Sequence, residues 1–239
     1  MEAGKRKYQI LSNSMLKVFA VITMLIDHTA VVFRSRFNDV FLLFSSFSMT
    51  YYELMRFIGR WSFPVYAFLI TEGFLHTRNR RMYGLRLLLF AFLSEIPWNL
   101  EHTGILYYEK QNVFFTLFLG YVGLCMIEKL EKREDELKHE ILLLFLLLIS
   151  FVLNADYGYI GFAFILVMYL LRKSLICQAI IGSCLSSSHW KIVPSFALIS
   201  LYNGKRGFIR NRFLQLLFYS IYPLHMLLFY FIKHSLGGY

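Results

Sequence analysis

Long apolar runs follow one another along almost the whole chain, and each must be buried by its neighbours or face lipid. They fall at about residues 15–33, 54–75, 83–100, 113–128, 140–154, 157–171, 174–187, 190–203 and 212–233. A bilayer accepts a helix of about 20 apolar residues because the helix satisfies its own backbone polar groups. The shorter runs must extend into their polar flanks, be covered by neighbouring helices or be partly re-entrant. Only 17% of the 239 residues are charged and 57% are hydrophobic, whereas a soluble domain of this size carries about 25% charge. Mean hydropathy is +0.52 over the whole chain. A soluble enzyme, a disordered chain and a disulfide scaffold are thereby excluded. The three cysteines, Cys125, Cys177 and Cys184, sit inside apolar runs without paired spacing and read as small core residues. The expected fold is all-α: a polytopic transmembrane helix bundle of nine spans, forming a single domain over residues 1–239.

The net charge of +10 records topology rather than nucleic-acid binding, because the basic residues are sorted by loop. With the N-terminus cytoplasmic, Lys5 to Lys7, Arg78 to Arg86, Lys129 to Lys138, Arg172 and Lys173, and Lys205 to Arg212 all fall on the cytoplasmic side. Arg34, Arg36, Lys110, Lys191 and Lys233 fall opposite. The run Val40 to Ser48 is a candidate tenth span, but counting it as a crossing inverts every later loop and destroys this asymmetry. It is read as interfacial or re-entrant. Asp27 and His28 interrupt the first run and no small-residue cleavage site follows, so that segment is read as retained, not as a signal peptide. The charged stretch from Glu128 to Glu140 reads as a solvated continuation of its flanking helices.

Ionisable residues inside apolar spans cost a few kcal/mol to insert and are functional candidates by default. Asp27 and His28 lie in the distal half of the first span, and a histidine there has the proton affinity of a general base. A mutually satisfied structural pair is the competing reading. Arg56 and Arg60, four residues apart on one helix face, need acidic partners from elsewhere, with Asp27 and Glu95 as the obvious ones. Pro64 is expected to kink the second span. His225 follows Pro223 in the last span at a depth comparable to His28, and Asn112 and Asp156 add polar groups at the same rim.

On the other face, His76 to Arg86 and Leu201 to Gly207 combine positive charge with donors suited to phosphate oxygens. Positive-inside topology explains the same charges without a ligand, and neither loop matches a recognised phosphate-cradling motif. A metal site is not expected, since His28, His225, Asp27 and Glu95 lack metal-ligand spacing.

Seven motifs together carry a resemblance. LKxxAxxxMxIDH from Leu16 to His28, RxxGRxxFP from Arg56 to Pro64, EGFxxTRN from Glu72 to Asn79 and SEIP from Ser94 to Pro97 occur in order. NVFFTL from Asn112, LYNGKRG from Leu201 and YPLH from Tyr222 follow. The set resembles the TraX family, known for N-acetylation of conjugative pilin and grouped with membrane acyltransferases that use acetyl-CoA. The resemblance implies a multi-pass bacterial inner-membrane acetyltransferase working across the lipid bilayer. Its donor is cytoplasmic acetyl-CoA and its acceptor an amine, such as a pilin-like peptide N-terminus, or a hydroxyl. A glycan or lipid headgroup is the rival acceptor, and a proton-coupled transporter or a non-enzymatic assembly protein the rival class. The catalytic set expected on this reading is His28, Asp27, His225, Arg60, Glu95 and Asn112, lining the outer half of a tunnel. Either histidine serves as the base, or carries the acetyl group; Asp27 holds His28, and Arg60 or Asn112 stabilises the oxyanion. The donor-binding set is Arg56, Glu72, Thr77, Arg78, Arg86, Asn203, Lys205 and Arg206.

Overall fold

A computed structural model describes residues 8–34, 37, 40–44, 47–132, 136–186 and 189–235. Among them the chain forms ten α-helices and one short hairpin. In order these are α1 (Asn13–Val32), β1 (Val40–Phe44), β2 (Phe47–Thr50), α2 (Tyr51–Gly59), α3 (Ser62–His76) and α4 (Arg80–Thr103). There follow α5 (Val113–Glu131), α6 (Glu136–Val152), α7 (Gly158–Leu170), α8 (Leu175–Leu185), α9 (Val193–Ser200) and α10 (Arg212–Ser235). Each of the nine apolar runs is helical, and the second is divided in two.

That division lies at Arg60 and Trp61, between α2 and α3. Pro64 stands in the first turn of α3, where a missing N–H leaves no intrahelical bond unmade. The expected kink at Pro64 is therefore replaced by a break just before it, which lets α2 lie against α1 at its own angle. The run Val40 to Ser48, expected to be interfacial or re-entrant, takes part in a two-stranded sheet. It forms an antiparallel hairpin in which Val40 pairs with Thr50 and Phe41 with Met49. A five-residue strand rises only about 17 Å, so this segment is neither a tenth span nor a re-entrant helix. A capping box at Thr50 and Glu53 then starts α2 directly after β2. The Glu53 carboxyl, accepting from the backbone N–H and hydroxyl of Thr50, is held below its usual range.

The core is centred on α3, α5 and α7, which pack on one another. Val65, Ala67 and Phe74 of α3, Leu124 of α5, and Phe162, Ile165 and Met168 of α7 are buried there. The periphery is apolar as well: Phe92 and Leu93 of α4, Phe145 and Phe151 of α6, and Phe213 and Phe231 of α10 are exposed. A belt of this extent is what lipid contact requires and what water penalises. Asn13–Val32, Val113–Glu131 and Arg212–Ser235 are long and apolar enough to cross a membrane, whereas Gly158–Leu170 and Leu175–Leu185 are shorter apolar helices. Cys177 and Cys184 face outward on α8 and Cys125 is half-buried, so none is the fully buried core residue its apolar context suggested. The charged stretch continues α5 through Glu131 and opens α6 at Glu136, with residues 133–135 outside the described set.

The first turn of α1 is closed by the Leu201 to Gly207 loop. Asn13 and Ser14 donate their backbone N–H groups to the carbonyls of Lys205 and Arg206, at 2.8 and 3.1 Å. These are amides that a helix start otherwise leaves unsatisfied. The Ser14 hydroxyl donates to the Arg206 carbonyl and accepts from the Ile209 N–H, both at 2.8 Å. Gly207 turns the chain here at φ +80°, and a Cβ on it would meet the Ser12 and Ser14 hydroxyl oxygens at 2.5 and 2.7 Å. Gly207→Ala is accordingly expected to lower stability by more than about 1 kcal/mol. Gly204→Ala, at φ +72° but in open space, should cost less. Paired thermal denaturation curves in detergent check this order.

Candidate active site

Asp27 is the convergence point of α1 and α2. Its carboxylate accepts from Arg56 Nη1 at 2.5 Å and from Arg60 Nη2 at 2.8 Å to each oxygen. Two guanidinium groups four residues apart present the same face, so one buried carboxylate receives both. The approach is possible because the residue between them is Gly59: a Cβ there would run into the Asp27 side chain. Arg60 meets the carboxylate through Nη2 alone, and its buried Nε has no partner among the described residues.

One residue further along α1, His28 makes the second contact. Its Nδ1 lies 2.6 Å from His225 Nε2 on α10, and the ring planes are 7° apart. Ring faces cannot approach to that distance, so the imidazoles meet edge to edge. His225 Nδ1 lies 2.9 Å from the Ile221 carbonyl, and a carbonyl can only accept. With both rings neutral, His225 Nδ1 therefore carries its proton, its Nε2 accepts, and His28 Nδ1 donates to it. The proton chain leaves a lone pair on His28 Nε2.

His28 and the Asp27 clamp line a cavity of about 390 Å³. Its walls also include Phe63, Trp98, Glu101, His102, Asp156 and Tyr157. A smaller recess beside it, of about 40 Å³, is bounded by Met24, Tyr66 and Tyr222 together with Asp27 and His28. Both open at the end of the bundle where α1 ends and α3 begins.

The structure gathers only part of the set expected from sequence. Asp27, His28 and Arg60 share the cavity, and His225 touches it through His28. Glu95 and Asn112 do not line it; they bind each other, Asn112 Nδ2 donating to Glu95 Oε2 at 2.6 Å and to the Ala91 carbonyl at 2.8 Å. Asn112 Oδ1 caps α5 by accepting from the Phe114 N–H at 3.0 Å. That side chain is fully buried and its amide is committed to packing, so it is not an oxyanion donor. Glu95 is likewise not a partner of the arginines. Nor does Asp27 hold His28, because both its oxygens are taken by guanidinium groups.

The expected donor-binding set also divides. Arg56 belongs to the cavity, whereas Glu72, Thr77, Arg78, Arg86, Asn203, Lys205 and Arg206 lie at the opposite end of the bundle. Lys17 of α1 stands within electrostatic reach of Arg86 and Arg206 there, ten residues and about 15 Å of helix from Asp27. The Arg86 Nε is buried without a partner among the described residues, and Lys205 and Arg206 are exposed. Glu72 is the acidic exception, turned toward Tyr202 and His76. Sequence reasoning passed over Glu101 and His102, whose only signal is a pair of ionisable residues at the end of an apolar span.

A family model described as TraX protein matches residues 12–233. The chain belongs to the TraX family. The family is linked to pilin processing and fimbrial assembly, and its membership together with the apolar helices marks a membrane protein. A probable fimbrial assembly protein FimC, serogroup H1, of Dichelobacter nodosus is 30% identical over 244 residues, covering 89% of this chain and 92% of that protein. No solved structure matches. Within this TraX chain, Asp27→Asn should be among the most damaging single changes, since it takes the shared carboxylate from two half-buried guanidinium groups, at a cost of about 2 kcal/mol. Gly59→Ala should weaken the same clamp from the other side. Limited proteolysis and thermal melts of the detergent-solubilised variants measure both.

Proposed function

We propose that this chain is a multi-pass inner-membrane acetyltransferase that moves an acetyl group from cytoplasmic acetyl-CoA to an acceptor amine, such as a pilin-like peptide N-terminus, at the outer membrane face. The observation that carries the reading is the Ile221–His225–His28 hydrogen-bond chain, which leaves a basic nitrogen on a ring lining a cavity. The fimbrial assembly name of the relative and the pilin link of the family agree with that acceptor, and the sorting of basic residues agrees with a cytoplasmic N-terminus.

The donor fits the basic end in charge and in its unsatisfied groups: Arg86 offers a buried Nε with no partner among the described residues, and Lys17 stands within electrostatic reach of both Arg86 and Arg206. Lys17, Arg86 and Arg206 would hold the phosphates, and Thr77 and Asn203 add neutral donors. Acetyl-CoA, when bound, supplies an activated acyl thioester. The chain's own residues do the rest. His28 Nε2 takes the proton of the attacking nitrogen, and the imidazolium so formed is oriented by His225, which replaces the carboxylate that performs this task in other catalytic triads. Arg60, held by Asp27 through one nitrogen only, offers its remaining donors to the oxyanion that develops on the acyl carbon. His28 then returns its proton to the departing sulfur. Direct transfer is favoured over an acetyl-histidine intermediate because His28 Nδ1 is already bonded and its Nε2 is needed as the base.

Acetyl transfer by purified protein, followed as thioester loss with peptide amines as acceptors, tests the reading. His28→Ala should reduce turnover by about 10²–10⁴-fold, with acetyl-CoA binding retained. His225→Ala should lower kcat by a smaller factor, because it removes the orienting group and not the base. Arg86→Ala should raise the apparent Kd for acetyl-CoA and leave the cavity residues unaffected. Folded protein that does not bind acetyl-CoA would overturn the proposal.

A further inference from the structure

The cavity holds a second histidine that the relay does not use. His102 Nδ1 lies 2.8 Å from Glu101 Oε2 and 2.9 Å from the Trp98 carbonyl. A carbonyl can only accept, so Nδ1 carries the proton toward Trp98 and the neutral ring keeps its lone pair on Nε2. The ring cannot swing freely: its centroid is 3.9 Å from that of Trp98 and 4.9 Å from that of Tyr108. Glu101 is buried, with a side chain 7% exposed, while that of His102 is 26% exposed. An imidazole whose Nδ1–H is held by a backbone carbonyl, with a carboxylate 2.8 Å from the same nitrogen, is the arrangement of a general base. It stands on the wall of the cavity that His28 also lines.

We infer that Glu101 and His102 form a second catalytic acid–base couple, which removes the first proton from the acceptor. The inference rests on the acetyl-transfer reading above. An α-amino group with a pKa near about 8 arrives mostly as an ammonium ion at neutral pH, and an ammonium ion has no lone pair to attack with. Two protons must therefore leave the nitrogen, and a single base that must also reprotonate sulfur serves only one of them. His102 Nε2 accepts the first, with the Glu101 carboxylate adjoining its Nδ1. The free amine attacks and forms the C–N bond, and collapse of the resulting oxyanion then breaks the C–S bond. His28 takes the second proton and delivers it to sulfur. His102 releases the first to water at the cavity mouth, so the net products are the amide, the thiol and one proton.

Charged groups from each neighbouring element face this site. Asp27 and His28 of α1, Arg56 of α2 and Arg60 just beyond it share the cavity with His102, as does Asp156 of the loop before α7. Lys233 of α10 donates to the Glu101 carbonyl at 3.3 Å, and Lys110 lies within electrostatic reach of Asp156. The arginines are engaged by Asp27, which leaves Glu101 as the carboxylate in direct contact with His102.

The test compares wild type, His102→Asn and Glu101→Gln in acetyl transfer to a peptide with a free α-amino group, from pH 6 to pH 9.5, with thermal melts and acetyl-CoA binding as controls. Asparagine retains a donor for Glu101 and the Trp98 carbonyl but has no base. The expected result is a loss of about 10²-fold or more in kcat/KM at low pH for His102→Asn, a smaller loss for Glu101→Gln, and unchanged acetyl-CoA binding. The deficit should shrink as pH rises through the pKa of the acceptor, where the amine deprotonates without help. A deficit of equal size at every pH, or no deficit, overturns the inference while leaving the transferase reading intact. Wild-type protein that binds acetyl-CoA but transfers to no acceptor at any pH overturns the transferase reading itself.

Discussion

The carboxylate of Asp27 is the interaction on which the rest of the site depends. A single buried negative charge inside an apolar bundle is unfavourable alone, and so are two half-buried guanidinium groups without a counter-charge. Together they become tolerable because the planar donors of Arg56 and Arg60 engage both carboxylate oxygens. The geometry demands that α2 approach α1 at van der Waals distance, which Gly59 permits. It also demands that the second apolar run break before Ser62, since a continuous helix would carry α3 along the axis of α2. One ionic cluster thus sets the placement of two helices and of the histidine next to it in sequence.

From that placement follows the division of the molecule into two chemically different ends. The Asp27 end has a cavity, three histidines with oriented rings and a guanidinium with donors to spare. The other end has Lys17, Arg86 and Arg206 close together around the loop that caps α1. Helices α1, α4 and α10 touch both ends, and α4 packs against α10 along its length. A ligand with a phosphate-rich head and a long arm matches such an arrangement, because its charged and reactive parts are themselves far apart.

Much of the site was legible as residues and little of it as contacts. Ionisable side chains in apolar runs are costly enough that Asp27, His28, Arg56, Arg60 and His225 declare themselves in the sequence. Which of them pair does not follow from spacing, because the partners lie on helices distant in the chain. Asp27 was a reasonable partner for His28 as its neighbour, yet adjacent helical residues point about 100° apart and the arginines capture the carboxylate. Glu95 and Asn112 carry polar groups of the right kind at the right rim, but they satisfy each other and close the start of α5. Glu101 and His102 sit where a span gives way to a loop, so their burial was invisible until Trp98 and Tyr108 were seen to enclose the ring.

The sequence by itself determined that this is a helical membrane protein of the TraX family, with polar groups concentrated toward one end of its apolar spans. Hydropathy and charge are sums over neighbouring residues, and so they survive without a fold. The tertiary structure alone decided that the second run is two helices, that Val40 to Thr50 is a hairpin, and that His28 answers to His225 and Asp27 to two arginines. Those outcomes depend on hydrogen bonds between residues up to 197 positions apart, whose geometry exists only after the helices have packed.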